Sequence, residues 1–421
     1  MYLISRFVRR TGQQQLLDIA TMCQRLRPLH PTEHTPFASA LRILLHVSFG
    51  RLCRQEHAQL VIAAWGEEGH EHGSLMAMLL SEQLTALLGP EVQDPDEETF
   101  LLFALDRPAA QNLGFVDPHV AELDLSVAGR DLVVHQSPAV LTSSRPGGTT
   151  GAVLWKITPA VAEWLARPDN FLFRTSLLGA QSAVLELGCG ISAVIGLVMT
   201  GSSSSTVVSA RKASGKRTRK TAAAIVAPAS SNSVGRYVLT DQPYVAKLVQ
   251  RNLDANSAVA SSLYFHPLDW ETDVVSASLL LPSQDVSSSI DNVHHQHHHR
   301  NHHAHHNHHG QNHPSRMPAA DASFDAVLAC DCIYNDALVA PLVQTCVDAC
   351  RLRDADSLPL PPTLCIVAQQ LREPDVLTAW LDDFHAAFQV WRVPELLLTE
   401  ALRPAAGFAV HLGILRLNHH A

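Results

Sequence analysis

The sequence predicts an α/β fold of Rossmann-like type. The expected architecture is a doubly wound, mostly parallel seven-stranded sheet with an antiparallel edge strand, preceded by a helical or poorly ordered N-terminal extension. Three observations predict it. From residue 184 onward, short apolar runs alternate with helix-length amphipathic runs, the pattern of a parallel sheet with crossover helices. The first of those runs ends in Gly188-Cys189-Gly190, glycines at a strand-to-helix turn. A later run, 324–330, is apolar at nearly every position, as suits a strand buried on both faces.

The composition is compatible with this. Hydrophobic residues make up 46% of the 421 and charged residues 17%, which is globular rather than disordered chemistry. That length fits two domains or one large domain with extensions. A net charge of −9 argues against a molecule whose whole surface grips nucleic acid. No apolar run reaches the eighteen or so residues of a membrane span.

Residues 1–95 form an N-terminal extension with helix-like runs at 38–47 and 74–88 and no readable motif. Arg6, Arg9 and Arg10, with no acid before Asp18, give its start the look of a transit peptide or of a basic surface extension. Gly89-Pro90 and the acidic stretch 94–98 punctuate its end, and the main domain is expected over 99–417. Two runs, 121–127 and 131–135, alternate as short strands do, and Pro146-Gly147-Gly148 marks a loop.

The core follows in order. Strands are expected at 184–187, 237–240, 263–265, 324–330 and 363–368, and helices at 191–199, 243–256, 338–351 and 376–388. In the second helix Pro243 suits the first turn, with apolar residues at 245, 248, 249 and 253. The β-like runs 390–393 and 408–417, joined by only a loop, supply the antiparallel edge.

Two insertions interrupt the alternation and are expected to be disordered: 201–235, rich in Ser, Ala, Lys and Arg, and 272–323, with a histidine run at 294–309. Clustered imidazoles chelate zinc, copper or nickel adventitiously, but a low-complexity expansion has the same composition, and no metal is assigned. Lys216–Lys220 reads as a solvated basic stretch or a nucleic-acid patch. The eight cysteines form no CxxC pair and are expected as free, mostly buried thiols rather than a zinc site.

Four constellations carry chemistry. Val184–Gly190 is a strand bearing an acid, then Gly-x-Gly, where a ligand approaches backbone that a side chain would block. Ala193 stands at the third glycine position of a dinucleotide fingerprint, which tolerates alanine, so a nicotinamide dinucleotide stays open. Asp241 ends the second strand 51 residues past Gly190, or 16 once the 35 residues of 201–235 are set aside. An acid there suits ribose hydroxyls, with helix capping before Pro243 as the rival role. After the third strand come Asp269 and Trp270, an acid and a flat aromatic suited to flank a base, though Trp270 also suits a core. After the fourth come Cys330, Asp331, Cys332 and, three residues beyond Asp331, Tyr334, so that Asp331 and Tyr334 can share one cleft. Capping the next helix is the rival role for Asp331.

Together these residues resemble the seven-β-strand protein lysine methyltransferases, the methyltransferase family 16 group. The likeness includes Gln136-Ser137, the segment from Thr149 to Trp155, ELGCG, TDQ, LDW and ACDCIY, and runs from about 99 to 417 with both insertions unmatched. Within that group VLTDQ and CDCIYNDALVAPLVQTC look most like a fungal ribosomal-protein lysine methyltransferase.

The resemblance implies S-adenosyl-L-methionine as cofactor and a lysine of a large-subunit ribosomal protein as acceptor, with no nucleic-acid requirement and no membrane. It implies that Trp155, Gly188, Cys189, Gly190, Asp241, Trp270 and Cys330 hold the cofactor. Asp331 and Tyr334 would form the acceptor-side D-x-x-Y motif. Asp331 is expected to position the amine more than to act as base, because a carboxylate beside an amine raises its pKa. The rivals are a nucleic-acid or small-molecule methyltransferase and a non-catalytic cofactor-binding protein. The loop after the fourth strand lacks the prolines of the Asn/Asp-Pro-Pro-aromatic pattern of base-amine methyltransferases. The expected location is cytoplasmic, with mitochondrial import as the alternative.

Overall fold

The computed structural model describes residues 70–105, 114–145, 148–200, 232–256, 262–281, 323–353 and 360–417. The runs at 38–47, 216–220 and 294–309, and the N-terminal arginines, lie outside these.

The chain enters through two helices, α1 (His70–Leu88) and α2 (Pro95–Phe103), the second capped by Asp94, whose carboxylate accepts from the amides of Asp96 and Glu97. A hairpin follows, β1 (Glu122–Val127) and β2 (Arg130–His135), turned at Ala128 and Gly129, both with positive φ. Then come α3 (Ile157–Ala166), β3 (Ala183–Leu187), α4 (Val194–Thr200), β4 (Arg236–Asp241), α5 (Ala246–Ala255), β5 (Leu263–Pro267) and β6 (Ala326–Cys330). The chain closes with α6 (Val339–Arg351), β7 (Leu364–Gln370), α7 (Pro374–Ala387), β8 (Phe388–Arg392) and β9 (Phe408–Leu415).

Seven of these strands form one sheet in the order β5-β4-β3-β6-β7-β9-β8. All neighbouring pairs from β5 to β7 are parallel, and β9 runs antiparallel to both β7 and β8. The expected α/β architecture is therefore the one observed, with a refinement at the edge. The reversed strand is β9, inserted between β7 and β8, so the edge strand β8 runs with the others. The central strands are buried along their length, β6 at every position and β7 at all but its last.

Two hydrophobic layers cover the sheet. One contains Trp164, Ile195, Tyr237 and Leu239, the other Leu185, Val238, Trp380 and Phe384. The sheet order reverses at β3, which lies between β4 and β6. The crevice beyond the carboxyl ends of these strands is where an open α/β sheet takes its ligand.

The boundaries of the fold differ from those expected in three places. The N-terminal helices are not separate from the sheet. The amide of Val92 donates to the Val390 carbonyl at 2.7 Å, and Trp391 Nε1 donates to Thr85 Oγ1 at 3.2 Å. Buried Glu98 of α2 meets His411 of β9 at 2.9 Å. The helix α3 was not anticipated at all, although its buried Trp164 and Val161 anchor one layer. Finally, described structure reaches into both stretches expected as insertions. Val234, Val275, Leu279 and Leu280 are buried because their side chains complete the two layers beside β4 and β5, and Asn232 is buried with its amide donating to the Leu165 carbonyl at 3.2 Å.

Candidate functional site

Three strand ends meet at the switch point. Gly188 and Gly190 follow β3 with φ of +65° and +59°, a left-handed conformation that L side chains resist. Space also requires glycine: a Cβ on Gly188 would stand 2.8 Å from Cys332 Sγ and 3.2 Å from the Trp270 ring. One on Gly190 would stand 3.3 Å from the Gly151 carbonyl.

The amides of this turn are already engaged. Cys189 N–H donates to the Thr240 carbonyl at 3.0 Å, Gly190 N–H to Asp241 Oδ2 at 2.9 Å, and Ile191 N–H to the Gly151 carbonyl at 3.0 Å. A dinucleotide site needs such amides for a pyrophosphate. Here they close the turn on itself and on the neighbouring loop.

That loop, residues 148–155, is a part of the site that short-range sequence reasoning did not explain. Gly151 N–H donates to the Tyr244 hydroxyl at 3.0 Å, and Trp155 Nε1 donates to the Thr150 carbonyl at 3.0 Å. Buried Gln136 clamps the loop from behind. Its Oε1 accepts from Leu154 N–H at 3.1 Å, while its Nε2 donates to the Val120 carbonyl at 2.6 Å.

The hairpin is fixed above the turn by α5. Asn252 takes both the amide and the carbonyl of His135 and also donates to the Ile191 carbonyl, at 2.7, 2.9 and 2.6 Å. Asn256, one helical turn on, does the same to Val133 at 3.0 and 2.8 Å. Two side-chain amides thus stand in for a neighbouring strand.

The resulting cleft measures about 390 Å³, within the range of roughly 300–1,000 Å³ for small-ligand sites. All nine residues singled out from the sequence line it: Trp155, Gly188, Cys189, Gly190, Asp241, Trp270, Cys330, Asp331 and Tyr334. Among the described residues its lining contains five carboxylates, on Glu186, Asp241, Asp269, Glu271 and Asp331, and no lysine, arginine or histidine.

Asp241 accepts the Gly190 amide through one oxygen and its neighbour's Gln242 amide through the other, at 2.9 and 2.7 Å. It caps no helix through its side chain, since the turn beginning at Pro243 has Gln242 as its cap residue. Burial pushes its carboxyl up to about 6, against the two amide bonds that hold it down. Deeper in the cleft, burial pushes Glu186 up to about 7, although the Tyr237 hydroxyl donates to it at 2.7 Å.

Asp331 is differently placed. Its φ is +61°, and its amide donates to the Ala368 carbonyl at 2.8 Å. Its Oδ1 accepts from Arg372 at 2.9 Å and from Gln369 Nε2 at 3.0 Å, and its Oδ2 pairs with the second Arg372 nitrogen. Arg372 lies 4.9 Å over the Trp155 ring. Asp331 is not the cap of the following turn; Asn335 fills that role, accepting from Ala337 N–H at 3.2 Å. Tyr334 is 42% exposed at the mouth, the one large aromatic there open to solvent to that degree among the described residues. Burial of its inner face raises its hydroxyl pKa, and a hydrogen bond with Thr150 opposes this.

Arg372, Gln369 and Tyr244 were missed in the sequence. Arg372 follows a strand in an ordinary Leu-Arg-Glu loop, and nothing local marks it. Among the described residues no group of three or more His, Cys, Asp and Glu has metal-site geometry, and no helix is long and apolar enough to cross a membrane.

No family model matches the chain. It is 27% identical over 299 residues to a diaminohydroxyphosphoribosylamino-pyrimidine deaminase of Schizosaccharomyces pombe, a match covering 71% of this chain and 53% of that protein. It is 26% identical over 264 residues to ribosomal lysine N-methyltransferase 5 of Zygosaccharomyces rouxii, covering 60% of this chain and 70% of that protein. The chain thus spans about half the length of the first of these relatives. Among solved structures, a SAM-dependent methyltransferase so described from Streptococcus mutans aligns with a TM-score of 0.34 at 8% identity, covering 70% of this chain and 56% of that one.

Proposed function

We propose that this chain is an S-adenosyl-L-methionine-dependent protein-lysine N-methyltransferase acting on a large-subunit ribosomal protein. The observation that carries this reading is the chemistry of the cleft: among the described residues its lining holds five carboxylates and no lysine, arginine or histidine, Asp331 alone being paired from behind by Arg372, and the amides of its glycine turn are already bonded. Such a site suits a cationic cofactor and leaves a pyrophosphate no free turn amides. The Zygosaccharomyces rouxii relative supports the choice of a lysine on a ribosomal protein.

S-Adenosylmethionine supplies a methyl group on a positive sulfonium, a good leaving group once an amine attacks. The chain's own residues bind and orient. Asp241 keeps lone pairs beyond its two amide bonds for the ribose hydroxyls. Trp270 offers a flat face to the adenine, and Gly188, Cys189 and Gly190, with Cys330 and Trp155, let the rest of the cofactor approach backbone and ring closely. Asp331 and Tyr334 form the acceptor side. A free lysine is cationic at neutral pH and must lose a proton before attack, which a desolvated aromatic channel promotes. Orientation then contributes most of the rate.

A deaminase reading has a specific argument against it. Zinc deaminases use an H-x-E…P-C-x-x-C set, and neither half occurs in this sequence. The protein partner is the substrate, and the cytoplasm is the proposed location.

The test is incubation of the purified chain with labelled S-adenosylmethionine and ribosomal proteins from a strain lacking the enzyme. Label on a lysine of a large-subunit protein is the expected result. Label on RNA or on a small molecule, or cofactor binding without transfer, overturns the protein-lysine assignment.

A further inference from the structure

Asp331 lines the cleft on the side that the lysine reading gives to the acceptor, and a bare carboxylate there would work against the reaction by keeping the amine protonated. The side chains around it answer this difficulty. Arg372, only 17% exposed as a side chain, engages both oxygens of Asp331, whose own side chain is 2% exposed. The guanidinium is fixed on its other sides as well. It lies 4.9 Å over Trp155 and donates to Gln370 Oε1 at 2.9 Å. It also lies under Gly114, where a Cβ would stand 3.1 Å from one of its nitrogens. The Gly114 strap is tied down in turn, its carbonyl accepting from Lys156 N–H at 2.8 Å.

We propose that Arg372 is a positioning residue of the acceptor side, cancelling the charge of Asp331 so that the wall facing the amine is polar but carries no net charge. This rests on the lysine reading above. In the wild type the pair holds the amine by hydrogen bonding without stabilising its cation, and the proton leaves to solvent before attack. Oδ1 of Asp331 is taken by Arg372, Gln369 and the Gln370 amide, so the lone pair offered to the amine is on Oδ2; Arg372 holds it in place, and Trp155 fixes the plane of the guanidinium. The other titratable groups lining the cleft, among the described residues, are Tyr334 at the mouth, Cys330 and Cys332 beside Asp331, Cys189, Asp241, Glu186 and Tyr244 across from it, and Asp269 and Glu271 at the rim. Burial raises the Cys330 and Cys332 thiols and the Tyr334 hydroxyl. Burial raises Glu186 to about 7 and Asp241 to about 6, and both groups are the same in wild type and variants.

The experiment is the pH dependence of kcat and KM for lysine methylation by wild type, Arg372→Gln, Asp331→Asn and the double variant. Affinity for S-adenosylhomocysteine and thermal unfolding serve as folding controls. Arg372→Gln bares a carboxylate, and an opposite charge this close moves an amine by about 1–3 pH units. The rising limb of the profile, which the amine's deprotonation sets, therefore shifts to higher pH, and kcat at pH 7.5 falls about tenfold or more while KM falls with it. Asp331→Asn shifts the limb the opposite way. The double variant, whose neutral amides carry no stranded charge, returns the limb to its wild-type position even at a lower rate. Shifts of opposite sign that cancel cannot come from loosened structure.

If both single variants lower kcat equally at every pH, or if the double variant fails to return the limb, the inference is overturned and the lysine reading stands. If wild type labels no lysine, the lysine reading fails, and the inference fails with it. Should Arg372→Gln not fold, the Asp331→Asn shift and its cancellation in the double variant decide the matter.

Discussion

Asp241 and Asp331 each stand at the carboxyl end of a parallel strand, on either side of β3, yet their carboxylates are managed in opposite ways. Among the described residues Asp241 meets two backbone amides and no cation, and burial lifts it to about 6. Asp331 meets an arginine at both oxygens and a glutamine at one. The first is a carboxylate held by backbone amides, with lone pairs left on both oxygens. The second is a structural half of an ion pair that also faces the cleft. Strand-end position alone therefore does not give an acid its role; its partners do.

The most severe way to break this contrast is to remove Asp331. Asp331→Ala strands a largely buried guanidinium and is expected to cost about 3–5 kcal/mol of stability, read by denaturant unfolding. Asp241→Ala strands no charge and is expected to leave stability far less changed. A comparable loss in both would show that the two acids are equivalent after all.

Asp241→Asn sharpens the contrast from the other side. Hydrogen bonds to a charged group contribute about 1.5–3 kcal/mol, so calorimetry with S-adenosylhomocysteine should show affinity down about tenfold to a hundredfold. In the cofactor-free protein this carboxyl makes stability fall as pH rises from 3.8 to about 6: raised on folding, it favours the native state below 3.8, and that advantage is lost by about 6. Asp241→Asn removes this pH dependence, while its NH2 group takes the place of one of the two oxygens that accept backbone amides.

Cofactor affinity of the wild type should accordingly hold above pH 6 and fall about tenfold for each unit below it, as the carboxylate is lost. Glu186, raised to about 7, makes the cofactor-free protein less stable as pH rises from about 4.5 to 7, with the same sign. An affinity flat from pH 7 to 5 would show that Asp241 does not receive the ribose. The smallest effect is expected at Glu271, an exposed acid at the rim: Glu271→Gln should change affinity by less than about twofold, because solvent and salt screen it.

The sequence by itself determined what neighbouring residues decide. The alternation of apolar runs set the strands and crossover helices, and with them the order of events at the switch point. Gly188 and Gly190 were legible because a strand-to-helix turn leaves its own signature. Asp241 and Asp331 were legible as cleft residues because one ends a strand and the other follows one directly, and Trp270 and Tyr334 because they lie in the loops just beyond strand ends, at the sheet's carboxyl edge.

Only the tertiary structure decided their partners. Arg372 reaches Asp331 across 41 residues, Tyr244 reaches Gly151 across 93, Asn252 reaches His135 across 117, and Glu98 reaches His411 across 313. The residues linking such partners carry no record of the contact, so no window along the chain reveals it. The inserted strand β9 and the packing of α1 and α2 on the sheet edge are hidden in the same way. The physical reason is that propensity and periodicity act over a turn or a strand, whereas the charge state of a carboxylate is set by whatever side chain the fold places against it.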